Sequence, residues 1–126
     1  MWSVAPSDDY LRRHKRHEKK HPRELAAVLD NLDTFLSALR EGSKVQQVKA
    51  GFLHPEPLGV LAIDQKGGGK ALAETRLYVY PDEDGEVLHI ITLGDKRSQA
   101  DDMGLCREFV AELRKTKTKG KGSDNG

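Results

Sequence analysis

Residues 73–102 read AETRLYVYPDEDGEVLHIITLGDKRSQADD, and the rest of the chain is arranged around them. Two runs rich in β-branched and aromatic residues flank Pro81-Asp82-Glu83-Asp84-Gly85, a composition suited to a tight connection. The pattern predicts an antiparallel hairpin made of residues 74–80 and 86–93. Side chains alternate along a strand, so Arg76, Tyr78 and Tyr80 share one face and Thr75, Leu77 and Val79 the other. The second strand runs into Gly94-Asp95-Lys96-Arg97, a polar turn with two cations. An arginine and two phenols beside a cationic turn suit contacts to phosphates and bases. The same composition also describes a polar sheet face that is simply solvated.

Upstream, Leu25, Val28, Leu29, Leu32, Leu36 and Leu39 recur at three- and four-residue spacing, the clearest helical stripe in the chain. Glu24 falls in its first turn, Arg40 in its last, and Gly42 follows as a C-terminal cap. Pro22 suits the start of this helix and ends the one before it. That earlier helix is capped by Ser7, with Asp8 and Asp9 at the positive end of its dipole. Tyr10 and Leu11 are almost its only apolar residues, so it is expected to be mostly exposed.

Residues 45–53 and 58–64 are two further strand candidates, joined by His54-Pro55-Glu56-Pro57. Lys66-Gly67-Gly68-Gly69-Lys70 reads as a flexible loop into the hairpin. Ser98 opens a last helix, with Asp101 at capping-box distance and an apolar face of Met103, Cys106, Phe109, Val110 and Leu113. Residues 116–126 offer nothing to bury and are expected to be a disordered basic tail. The predicted order is helix, helix, four strands, helix, with a short first strand at residues 2–5. This is an α+β layout in one domain, residues 1–115. An N-terminal helical hairpin packs on a small, mainly antiparallel four-stranded sheet, with helices on one face and a C-terminal helix following.

The chain has 126 residues, the size of one ordinary domain. Charged residues make up 33% and no apolar run is long enough to span a bilayer, which excludes a helical membrane protein. Its opening, MWSVAPSDDY, lacks a basic segment followed by an apolar one, so no signal peptide is expected. Cys106 is the single cysteine and cannot form an internal disulfide, and both features together predict a cytoplasmic protein. The net charge of +1 conceals an uneven layout. Residues 11–23 hold seven cations against Glu18 alone, and the last sixteen residues hold five cations against two anions. A basic arm on an acidic body implies a polyanionic partner. The body lacks the uniformly basic surface of a general nucleic-acid binder.

His17-Glu18-Lys19-Lys20-His21 matches the H-E-x-x-H pattern of zinc peptidases. That chemistry needs both histidines on one helical turn, whereas Pro22 draws His21 out of the helix and cations crowd the segment. No metal is assigned, although His14 extends the same face. The glycine loop at residues 66–70 lacks the P-loop spacing and precedes a strand rather than a helix. Cys106, among apolar residues, reads as a small core residue.

The helical hairpin, the run Thr75-Arg76-Leu77-Tyr78-Val79-Tyr80 and the strand ending Leu93-Gly94-Asp95-Lys96-Arg97 together resemble the RelE/ParE superfamily of bacterial toxins. The resemblance covers roughly residues 20–110. RelE-like members cleave messenger RNA on the ribosome, ParE-like members poison DNA gyrase, and a small antitoxin wraps around either kind. The resemblance implies that Arg76 contacts the scissile phosphate and that Lys96 or Arg97 supplies a second positive charge. Two features depart from RelE: residues 58–63 carry no lysine, and the helix after the hairpin has no tyrosine in the matching place. The general base is therefore not carried over. Histidine serves in other nucleases of the superfamily, which draws in His54 and His89.

RNA cleavage by the 2′-hydroxyl requires a base for its proton, stabilisation of charge on the phosphorane, and an acid for the leaving oxygen. Arg76, Lys96 and Arg97 suit the charge, and Tyr80 or His54 the proton. Tyr78 or Tyr80 suits base stacking, and Arg12, Arg13 and Arg16 of the arm suit a polyphosphate. The expected protein is a ribosome-dependent endoribonuclease without metal or cofactor. Its expected partners are a cognate antitoxin and the ribosome with its message, and no membrane. The alternatives are a ParE-like gyrase inhibitor, favoured by the missing lysines, and a non-toxic protein- or nucleic-acid-binding relic of the same fold.

Overall fold

The computed structural model describes residues 1–69 and 71–125. In chain order these form β1 (Ser3–Pro6), α1 (Asp8–Lys20), α2 (Pro22–Arg40), β2 (Leu53–Pro55), β3 (Leu61–Ile63), β4 (Thr75–Asp82), β5 (Val87–Asp95) and α3 (Gln99–Asn125). Short 3-10 turns at Val45–Gln47 and Pro57–Gly59 precede β2 and β3.

The class is α+β, but the sheet has five strands rather than four and its pairing is mixed. The strand order is β1-β5-β4-β3-β2, with β1 parallel to β5 and every other pair antiparallel. The predicted hairpin forms as β4 and β5, with Arg76 opposite Gly94 and Tyr80 opposite His89. Tyr78 faces Thr92 while Val79 faces Ile90, so Ile91 is an extra residue that bulges from β5.

The two strand candidates before the hairpin are mostly not strands. Residues 45–52 are a turn and a loop, and only Leu53–Pro55 pairs. Pro57 opens a second turn in which Leu58 and Gly59 adopt φ of 66° and 82°, so pairing resumes only at Leu61. Prolines lack the N–H that a continuous ladder needs, and two of them two residues apart keep both strands to three residues.

The helices do not share one face, as the sequence had implied. Tyr10 of α1 and Val28, Phe35, Leu36 and Leu39 of α2 pack on Leu77, Val79, Leu88, Ile90 and Leu93. Cys106 and Val110 of α3 cover the opposite face, against Val60, Ala62, Tyr78 and Ile91. Full burial of Phe35 and Val28 contributes about 1.5–3 kcal/mol each before entropy is set against it. Burial pushes the Cys106 thiol up to about 12, which suits a core residue and not a nucleophile.

Ser7 caps α1 as predicted, its hydroxyl accepting from the Tyr10 N–H at 3.0 Å. The same hydroxyl donates to the Ile91 carbonyl at 2.5 Å and ties the helix start to β5. Helix α3 continues to Asn125, through the stretch whose composition predicts disorder. The Lys117 ammonium sits 2.6 Å from the Asp82 carboxylate, anchoring that stretch to the end of β4. Residue 126 of the expected tail lies outside the described residues, as does Lys70 of the glycine loop. Among the described residues no helix is long and apolar enough to cross a membrane.

One buried histidine, His17, and one half-buried histidine, His89, make stability depend on pH. Burial is the leading cause that lowers His17 and His89 below the ordinary 6.5. Between those lowered values and 6.5 the unfolded chain binds more protons than the folded one, so stability falls as pH falls through this window. The melting midpoint is expected to drop from about pH 7 to about pH 5. His89→Phe should flatten part of that drop, because His89 packs on the Phe109 ring at 5.4 Å. A midpoint that stays level or rises on acidification would contradict this account.

Candidate functional site

The face covered by α3 carries His54, Arg76, Tyr78 and Tyr80 of the residues that the sequence singles out. His54 lies opposite Ala62, Ala62 opposite Tyr78, and Arg76 is two residues along β4 from Tyr78. Directly opposed residues point to the same side, so His54 and Arg76 share this face in neighbouring rows.

Arg76 is held by carboxylates. Its Nη1 donates to Glu56 Oε1 and its Nε to Glu74 Oε1, both at 3.2 Å, and about a quarter of the side chain is exposed. Glu74 Oε1 also accepts from the Gln99 amide at 3.0 Å, which fixes it to the start of α3. Glu56 comes from the Pro-rich connection after β2 and is half-buried. A planar guanidinium satisfies both carboxylates at once through separate N–H groups.

His54 is also oriented. Its Nε2 lies 2.5 Å from Asp64 Oδ2, and the Asp64 carboxylate is buried with Oδ1 accepting from the Lys66 N–H at 2.8 Å. With Nε2–H donating to the carboxylate, Nδ1 is left as the acceptor that can take a proton. His54 is half-buried.

Other expected members are placed differently. Tyr78 is 1% exposed beneath α3 and cannot stack a base, and burial raises its phenol above the ordinary 10. Tyr80 lies four residues from Arg76, roughly 13 Å at the usual rise of a strand. It packs beside His89, ring centroids 6.4 Å apart, and lines an apolar groove of about 950 Å³ with Val48, Leu53, Leu61 and Pro81. The structure therefore does not bring Tyr80 to Arg76. Lys96 and Arg97 are exposed on the turn just past Gly94, the residue opposite Arg76. Asp95 Oδ1 shapes that turn by accepting from the N–H groups of Arg97 and Ser98, at 2.9 and 3.1 Å.

The basic arm divides. Arg12 pairs with Asp9 on the surface, and Arg16 is exposed. Arg13 turns inward, which corrects its expected role on RNA. Its Nη1 bonds to Asp102, a fully buried carboxylate, and to the Leu93 carbonyl at 3.1 Å. Ser98 Oγ donates to the other Asp102 oxygen at 2.7 Å, so Ser98 engages Asp102 rather than the exposed Asp101. A Cβ at Gly94 would collide with the Asp102 carboxylate and the Ser98 hydroxyl, so only glycine fits there.

Of the H-E-x-x-H histidines, His17 is buried in α1 and His21 forms its C-cap, yet their ring centroids stay 5.5 Å apart. Among the described residues no group of three or more His, Cys, Asp or Glu is placed to hold a metal ion. Glu56, Asp64 and Asp102 were not singled out from the sequence. Strand parity places Glu74 and Arg76 on one face, but nothing marked Asp64 or Asp102 as buried. No protein-family model matches the chain, and no curated protein or solved structure matches it.

Proposed function

We propose that this chain is a RelE-like toxin that cleaves messenger RNA on the ribosome, with the Arg76 face as its cutting site. One observation carries the reading: Arg76 bonds to Glu56 and shares a sheet face, one row away, with His54, which Asp64 orients. These are the groups that attack by a 2′-hydroxyl needs. A scissile phosphate displaces the carboxylates from Arg76, whose fork then stabilises the phosphorane. His54 Nδ1 and the Glu56 carboxylate serve the two proton transfers, one at the 2′-oxygen and one at the leaving oxygen. Lys96 and Arg97 hold neighbouring phosphates from the turn beyond Gly94. A cognate antitoxin and a cytoplasmic location go with the reading.

Expression without a partner should arrest growth and leave messages cut on translating ribosomes. His54→Gln should reduce single-turnover cleavage on the order of 100-fold, the usual scale for a positioned proton-transfer group. Its melting midpoint should move little, because the glutamine amide can still donate to the Asp64 carboxylate. Arrested cells with intact messages would overturn the proposal. The bare strand Leu61-Ala62-Ile63, which offers no cation beside Arg76, favours a second reading as a non-enzymatic gyrase inhibitor. Arrest with DNA breaks and normal messages would select that one.

A further inference from the structure

A second cleft opens at the end of β5, between the C-terminal half of α1 and the turn into α3. It encloses about 300 Å³, and Arg16, His17, Lys20 and His21 line it on one side and Asp95 and Ser98 on the other. The basic arm and the end of β5 are far apart in sequence, and the fold brings them together here. Arg13 also borders the cleft, but its charge is matched by Asp102. Asp95 Oδ1 already accepts from two backbone N–H groups, and Ser98 Oγ bonds to Asp102. Arg16 and Lys20 remain, both exposed, and neither forms an ion pair among the described residues.

His17 forms the buried wall. Its Nδ1 lies 3.1 Å from the Arg13 carbonyl, which can only accept, so Nδ1 carries a hydrogen. Its Nε2 is buried with no hydrogen-bond partner. Buried polar atoms are almost always paired, so an orphan beside a cationic cleft asks for a ligand. A cation is excluded by the surrounding charge. An anion would give Nε2 a partner by drawing a second proton onto the ring, at the cost of a small side-chain shift.

We infer that this cleft binds a phosphate group, gripped by Arg16 and Lys20 at the rim and by doubly protonated His17 beneath. Two long cations suit a tetrahedral, multiply charged oxyanion better than a single carboxylate. The phosphate is either a link in an RNA backbone or a free phosphate. The inference does not depend on the cutting chemistry, because Arg76, His54 and Glu56 do not line this cleft.

Anion binding and protonation of His17 are then linked. Burial opposes the proton most, the neighbouring His21 and Arg13 oppose it further, and the Arg13 carbonyl and Asp95 favour it. Arg16 and Lys20, also facing the cleft, add opposition until the anion arrives. Phosphate should therefore raise the His17 midpoint, and binding should tighten as pH falls.

The test follows the His17 imidazole by NMR through a pH titration of the full chain at constant ionic strength. The additions are inorganic phosphate, or a short single-stranded RNA with a 5′-hydroxyl, each compared with chloride. The midpoint should rise by about one pH unit, equivalent to about tenfold tighter binding to the protonated form. Arg16→Ala with Lys20→Ala alters only exposed residues and should weaken binding at least about tenfold. A rise with both additions assigns the site to RNA backbone, and a rise with phosphate alone assigns it to a free phosphate. A midpoint indifferent to both, or a double variant that binds as tightly as the parent, overturns the inference.

Discussion

Asp102→Ala should destabilise the protein by about 3–5 kcal/mol, the scale for breaking a buried ion pair by removing one partner. That is a large share of the roughly 5–15 kcal/mol that holds an ordinary domain folded. The Asp102 carboxylate is fully buried, and its two oxygens accept from Arg13 and from Ser98. It also joins three elements, since Arg13 belongs to α1, Asp102 to α3, and the Leu93 carbonyl that shares Arg13 to β5. The two helices lie on opposite faces, and they meet around the end of β5 because Gly94 has no side chain in the way. Arg13→Ala should cost a similar amount, because it strands the buried carboxylate without its cation. Arg13→Met with Asp102→Leu should recover most of the loss, since neither charge is left alone. Urea midpoints of the three variants decide the matter. A loss under about 1 kcal/mol for Asp102→Ala would place the pair among surface-like bridges.

Arg76→Ala should lower cleavage on the order of 100- to 1,000-fold, the effect of removing one donor aimed at transition-state charge. Arg76→Lys should lose nearly as much, because an ammonium cannot present two N–H groups in the plane now shared by Glu56 and Glu74. Stability should respond differently. Alanine leaves Glu56 and Glu74 without their cation on a partly covered face, which should cost about 1 kcal/mol. Lysine should restore most of that midpoint but not the rate. If lysine rescues rate and midpoint together, Arg76 is a structural clasp between β4 and the segment after β2. A fully active alanine variant would remove it from the site.

Periodicity explains which parts of this fold were readable. The α2 stripe repeats over 19 residues and the β4–β5 hairpin alternates over two long strands, so each sets its own pattern. Strands β2 and β3 have three residues each, too few for a period, and Pro55 and Pro57 between them decided where pairing stops. Strand parity put Arg76 and Tyr78 on one side correctly, but parity says nothing about what covers that side. Helix α3 buries Tyr78 and leaves Arg76 partly open. Arg13 looked like one of seven equivalent cations because the carboxylate that draws it inward is 89 residues away. Glu56 was read as part of a connection, and only tertiary contact shows it beside Arg76.

The pairing of β1 with β5 has a consequence for how the chain is made. Ser7 bonds to the Ile91 carbonyl across 84 positions, and the Ser3 N–H bonds to Glu86. On a translating ribosome the first strand has no neighbour until nearly the whole sheet has been synthesised. Until then the leucine stripe of α2 has no hairpin to cover, and its apolar side faces the solvent or whatever protein is nearby. Contacts so distant along the chain also make for slow closure, because the entropy of a long loop is lost before the contact rewards it. The nascent protein therefore stays open to capture for longer than a locally folded bundle of the same size, and acquires any activity only when the last strand is in place.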